Sequence, residues 1–192
     1  RLARARLHFR AGGVTIVGSM GDDDNGTDSG SAYVFRWKGS SWVQEQKLLP
    51  ADGAANDEFG GSVCVSGDAA LVGSSWDDDN GAASGSAYVF RWNGSAWVEE
   101  QKLLASDGTE SDLFGWFVSV SGELAAVGAR LDNDNGTDSG SAYVFRWNGS
   151  SWVEEQKLLP SDGAALDYFG ASVSVSGGVA IVGAYLDDDN GI

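Results

Sequence analysis

A single cysteine, Cys64, and a single histidine, His8, occur in the 192 residues. One cysteine forbids an intrachain disulfide. One histidine, set in an arginine-rich start, excludes a repeated Cys/His metal site and any mechanism that needs a histidine in each repeat. No run of 18 apolar residues exists, so no segment is suited to cross a membrane as a helix. Bases are scarce, 12 against 28 acids, for a net charge of −16. Arg1, Arg4, Arg6 and Arg10 are four of the twelve, and residues 1–10 hold no acid. The remainder therefore carries 28 acids against 8 bases, a net of −20. Such a surface repels nucleic acid and anionic membranes and attracts cations. Neither nucleic-acid binding nor membrane insertion is expected. A clean helical period is missing too. The chain does not begin with Met and shows no leader pattern, as expected of a piece of a longer chain, so the missing leader says little about location.

What is present is repetition. Gly-Ser-Ala-Tyr-Val-Phe-Arg-Trp begins at Gly30, Gly85 and Gly140, a period of 55 residues. Asp-Asp-Asp-Asn-Gly begins at Asp22, Asp77 and Asp187, and Asp132-Asn133-Asp134-Asn135-Gly136 stands in the same register. A fixed period means one supersecondary unit stacked on copies of itself. In the last copy Phe169 to Val175 alternates apolar and small polar residues, the mark of a strand, and Ser176-Gly177-Gly178 is a hairpin turn. Val179 to Gly183 is a short apolar run, as in a strand buried on both faces. An acidic loop follows, seen whole at Asp132 to Ser139. Ala142 to Trp147 forms a third strand, and Trp152 to Leu159, more charged, an outer fourth. Four antiparallel strands per 55 residues predict an all-β fold, a β-propeller of four-stranded blades, about three and a half in this chain. Residues 1–192 are one propeller segment, with repeats in register from 13 to 192. Residues 1–12 are a degenerate, arginine-rich start that holds the first-strand position without its pattern and is expected to cap or cross over.

These residues resemble the FG-GAP repeat of integrin α-subunit-like propellers. The Phe-Gly pairs are Phe59-Gly60, Phe114-Gly115 and Phe169-Gly170. The "GAP" position reads Gly18-Ser19-Met20, Gly73-Ser74-Ser75, Gly128-Ala129-Arg130 and Gly183-Ala184-Tyr185, without the family's proline. Many members carry a calcium loop between the first and second strands. Here that segment is only Ser66-Gly67-Asp68, Ser121-Gly122-Glu123 and Ser176-Gly177-Gly178, so the usual site is absent. The resemblance implies a partner-binding module at the cell surface or outside the cell, using its acidic-loop face.

The acids collect between the second and third strands. Asp22, Asp24 and Asp28, Asp77 and Asp79, and Asp132, Asp134 and Asp138 are the candidate calcium ligands, since carboxylates two apart can wrap a hard cation beside a glycine bend. The competing reading is a turn, with Asn-Gly bending the chain and Asp capping backbone N–H groups. In a four-strand meander the loops leaving the second and fourth strands share a face, so Asp52, Asp57, Glu58, Asp107, Glu110, Asp112, Asp162 and Asp167 join the same side. Trp37/Trp42, Trp92/Trp97 and Trp147/Trp152 read as cross-strand pairs, against a carbohydrate-stacking platform. Cys64 stands where Ser119 and Ser174 stand, an inert core thiol. No blade shows a repeat-breaking polar cluster. The expectation is therefore non-catalytic binding or adhesion of a protein or carbohydrate ligand, with a polysaccharide-active enzyme or a purely structural unit as alternatives. The open array predicts a homodimer or part of a longer propeller.

Overall fold

The computed structural model describes residues 7–10 and 13–188. Fourteen strands and no helix are formed among them. Three sheets have four antiparallel strands each, in the order β1 (Leu7–Arg10), β2 (Val14–Ser19), β3 (Ser31–Trp37), β4 (Trp42–Leu48); β5 (Ser62–Ser66), β6 (Ala69–Ser74), β7 (Ser86–Trp92), β8 (Trp97–Leu103); and β9 (Phe114–Ser121), β10 (Leu124–Ala129), β11 (Ser141–Trp147), β12 (Trp152–Leu158). A two-stranded sheet follows, β13 (Phe169–Ser176) and β14 (Val179–Ala184). These are consecutive propeller blades. Three are complete and one is half-built.

The repeat sequence explains each element. Short hairpin turns with Gly67, Gly122, Gly177 and Gly178 at positive φ join the first strand of a blade to the second. The second strands β6 and β10 are buried at every position, which is why they read as apolar runs. Third and fourth strands keep one register in each blade, ending in the pairs Trp37↔Trp42, Trp92↔Trp97 and Trp147↔Trp152. Their rings lie 5.5 to 5.9 Å apart, the cross-strand pair expected.

The Phe-Gly signature is the joint between blades. Phe59 and Phe114 are fully buried, each edge-on to the tyrosine of its own blade's third strand, Tyr88 and Tyr143. Gly30, Gly85 and Gly140 bridge to Phe59, Phe114 and Phe169. A Cβ at Gly73 would overlap the Gly115 carbonyl oxygen, so only glycine lets the backbones of two blades meet there. First strands are tied across blades by side chains. Val118 N–H donates to Ser62 Oγ (3.1 Å), Val175 N–H to Ser119 Oγ (3.0 Å), and Val120 N–H to Cys64 Sγ (3.4 Å). Cys64 thus fills a serine's role, and burial pushes its thiol above the ordinary range, as an inert core group requires.

One expectation is corrected. Within the arginine-rich start, Leu7–Arg10 neither caps nor crosses over. It pairs with β2, Leu7↔Val17 to Arg10↔Val14, and completes the first blade. A β-edge is satisfied by backbone pairing, which does not require the alternating pattern that was missed.

Candidate functional site

The loops leaving the second strands and those leaving the fourth strands lie side by side, as the meander dictates. Asn56 N–H donates to Thr27 O, Ser111 N–H to Ala82 O and Leu166 N–H to Thr137 O, each 2.8 Å. Asn25, Asn80 and Asn135 reach across with their side-chain amides to Pro50, Ala105 and Pro160 carbonyls. The acidic loops and their neighbours therefore form one hydrogen-bonded face.

Within each loop the predicted carboxylates do converge, and what they surround is a lysine ammonium. Lys102 Nζ lies 2.9 Å from Asp77, 2.7 Å from Asp79 and 2.8 Å from Asp52. Lys157 repeats the arrangement with Asp132 (2.8 Å), Asp134 (2.8 Å) and Asp107 (2.9 Å). Lys47 binds Asp22 and Asp24. The single O–H of Tyr88 is shared between Asp52 and Asp77 (2.9 Å each), and that of Tyr143 between Asp107 (2.7 Å) and Asp132 (3.1 Å). Asp52 and Asp107 belong to the connection from the preceding blade, so each complete cluster staples two blades together. The lysines come from β4, β8 and β12 and stand 25 residues after the first aspartate of each loop. That fixed spacing was a legible signal, and sequence reasoning missed it.

Charge is settled locally. Burial opposes the ammonium of Lys102, but the bonds from Asp52, Asp79, Tyr88 and Asp77 outweigh it and hold the lysine above its ordinary value. Burial likewise pushes Asp52 up, and the Lys102 and Tyr88 bonds overcome it and hold the carboxyl low. Asp57 and Asp112 are buried loop caps accepting from Ala54 N–H (2.7 Å) and Thr109 N–H (2.6 Å), and burial raises both.

Asp28 and Asp138 have a backbone role. Both are at positive φ, and their N–H groups donate to Asp23 and Asn133 side chains at 2.8 Å. Ala83 takes the same conformation with its N–H on Asp78, so the position needs the turn rather than a carboxylate. Among the described residues no group of three or more His, Cys, Asp or Glu side chains is arranged to hold a metal ion. The donor sets of the loops fit an ammonium that already supplies the positive charge.

The family model described as FG-GAP repeat matches residues 11–35, 42–90, 97–145 and 152–192. The chain belongs to the FG-GAP repeat family. No match was found among curated proteins. FG-GAP repeats are generally non-catalytic interaction modules, typical of extracellular or surface proteins. No helix among the described residues is long and apolar enough to cross a membrane.

The structure also gathers residues that the repeat hides. At the inner end of the acidic-loop face a cavity of about 240 Å³ is lined by Met20, Glu58, Gly61, Ser75, Trp76, Trp116 and Arg130. The sequence reading found no repeat-breaking polar cluster; folding brings one together, because its members lie on three different blades. The signal was there in the differences between copies. The Arg130 position is Met20, Ser75 and Tyr185 elsewhere, and the Trp116 position is Gly61 and Ala171.

Proposed function

We propose that this FG-GAP segment is a non-catalytic adhesion or interaction module, outside the cell or at its surface, that presents its acidic-loop face to a protein or carbohydrate ligand. The observation that carries this reading is the lysine at the centre of each loop cluster. It braces the loops without a metal, so the face is preorganised for binding and its association is expected to be independent of calcium. The carboxylates are engaged by Lys47, Lys102 and Lys157 or by backbone N–H groups, an arrangement suited to holding a surface rather than to exchanging protons with a substrate.

The test is retention of ligands from a glycan array and a protein panel by the immobilised chain, in chelator and in millimolar calcium. Equal retention in both, weakened by Glu110→Lys on the acidic face and unchanged by Ser40→Lys in the opposite turns, is expected. Retention that requires calcium overturns the metal-free part. Retention lost with Ser40→Lys instead moves the binding face.

A second proposal concerns assembly. The half-blade exposes Val179 (61%), Ile181 (69%) and Leu186 (52%) at one end of the array, and Trp42, whose counterparts are buried, is exposed at the other. Contiguous apolar faces of this kind are covered in working proteins. Further blades, from a second copy or from more of the same chain, are the natural cover.

A further inference from the structure

The cavity between the first three blades has three features that the loop clusters lack. First, it holds a cation on which the Asp138 carboxylate acts only at a distance. Arg36, Arg91 and Arg146 each pair with the glutamate opposite on the next strand. Arg130 makes no salt bridge to any described residue, and its buried Nε has no hydrogen-bond partner. Burial pulls its guanidinium below the ordinary value; the charge is held at a cost that an incoming anion would offset. Second, the guanidinium is aimed. Its carbon lies 3.8 Å from the centre of the Trp116 ring and 5.7 Å from that of Tyr168, so aromatic faces fix its position at the wall of the cavity that it lines. Third, a flat apolar surface is open beside it. Trp76 lines the cavity and is 46% exposed.

Each of these residues departs from the repeat. Where the copies are structurally redundant they match, as in the identical strands β7 and β11; where they line this cavity they differ. Trp76 corresponds to Gly21, Leu131 and Leu186, and Glu58 to Leu113 and Tyr168. A site for one ligand needs unlike residues converging from several copies, and this is the place where the chain provides them.

We propose that the cavity binds a single sugar ring bearing a carboxylate, the uronate unit of an acidic saccharide. Arg130 meets the carboxylate with its planar N–H fork, which matches two oxygens at once. Trp116 positions Arg130. Trp76 stacks on the C–H face of the ring, whose slight positive charge suits the negative face of an indole. Ser75 supplies a partner for a ring hydroxyl. The cavity is below the usual ligand-pocket range of about 300–1,000 Å³, which suits one ring rather than a long segment. A single negative charge is favoured over a phosphate dianion, since Glu58 lines the same cavity and the rim is acidic.

This proposal rests on the reading of the acidic-loop face as a binding face, and its test separates the two. The chain is titrated with glucuronate and a glucuronate-containing oligosaccharide, with glucose and an N-acetylated peptide ending in a free carboxylate as the other arms, by calorimetry and tryptophan fluorescence. Glucuronate binding without glucose binding is expected. Arg130→Gln and Trp76→Ala each weaken it by at least about tenfold, the scale of a lost charge-assisted bond. Arg130→Lys keeps the charge, loses the fork and weakens it less. Trp76→Phe retains binding but removes the fluorescence change. Trp42→Ala, which removes another exposed tryptophan, changes nothing. Unaltered melting curves show that each variant is folded. No glucuronate binding by folded chain, equal binding of glucose, preference for the peptide carboxylate, or indifference to Arg130 overturns the site. If array ligands still respond to Glu110→Lys in that case, the face survives and only the cavity assignment falls.

Discussion

Strands β10 and β14 carry nearly the same residues, Leu124–Ala129 and Val179–Ala184, and meet opposite fates. β10 is buried throughout, whereas in β14 Ile181 is 69% exposed. The contrast recurs at the other end of the array. Trp97 and Trp152 are 3% exposed, while the equivalent Trp42 is 41% exposed. The cause is visible in the contacts. Gln46 of the first blade grips both backbone groups of Trp97, and Glu45 accepts from its indole N–H; Gln101 and Glu100 do the same for Trp152. Among the described residues no such glutamine and glutamate reach Trp42. In this protein a side chain is completed by the next copy, so its energetic weight depends on its place in the array.

The sharpest form of that comparison is the lysine cluster. Lys102 faces three carboxylates, and the Asp77 side chain is only 5% exposed. Lys102→Met leaves that charge buried and unpaired, and a loss of about 3–5 kcal/mol in unfolding free energy is expected by chemical denaturation. Lys157→Met behaves alike. Lys47 has two carboxylates among the described residues, and its Asp22 partner is more exposed, so Lys47→Met costs about 1 kcal/mol, nearer to a surface pair. Equal losses at the three lysines would break the distinction between inner and terminal copies.

Packing gives a second contrast. Leu71→Ala in fully buried β6 is expected to cost about 2–5 kcal/mol. Ile181→Ala should stay within about 0.5 kcal/mol for an isolated chain. Light scattering decides whether the end is covered. A dimer that Ile181→Asp disperses supports closure by a second copy, and a wild-type monomer at micromolar concentration refutes it.

The pH profile extends the comparison to titration. Asp22, Asp52 and Asp107 are held below their ordinary values, so their contribution is present above the unfolded value of about 3.9 and is lost as pH falls through the folded values. Lys102 and Lys157 are held above theirs, so theirs is present below about 10.4 and is lost as pH rises through the folded values. Asp57 and Asp112, raised by burial, act in the opposite sense and soften the acid limb. A stability plateau between these limits is expected. Lys102→Met should blunt both limbs more than Lys47→Met does.

The smallest effect concerns cation–π stacking between blades. Arg91 lies 4.9 Å from the ring centre of Trp147 in the next blade, and no ring of the described residues stacks on Arg146 in this way. Arg91→Lys should cost about 0.5–1 kcal/mol, and Arg146→Lys should leave the melting temperature unchanged.

The candidate site was partly legible. Asp22, Asp77 and Asp132 were found because carboxylates at fixed spacing in a turn sequence imply a cation. The cation itself was missed because Lys47, Lys102 and Lys157 sit in strands that read only as charged outer edges. Their approach to the loops depends on how the third and fourth strands pair. The cavity was missed for a related reason. Glu58, Trp76, Trp116 and Arg130 are up to 72 residues apart in sequence, and period-based reading averages out just those positions at which the copies disagree.

By itself the sequence determined the blade. Alternating strands, glycine turns and a 55-residue period are local, and they specify four antiparallel strands whatever surrounds them. Tertiary structure alone decided what a repeated residue is worth. A glutamine became a clamp on the next blade's tryptophan, and an aspartate from one blade became a ligand of the next blade's lysine. Four non-repeated side chains became one cavity. Hydrogen bonds, ion pairs and burial depend on distance in space, and only the stacking of one blade on another sets those distances.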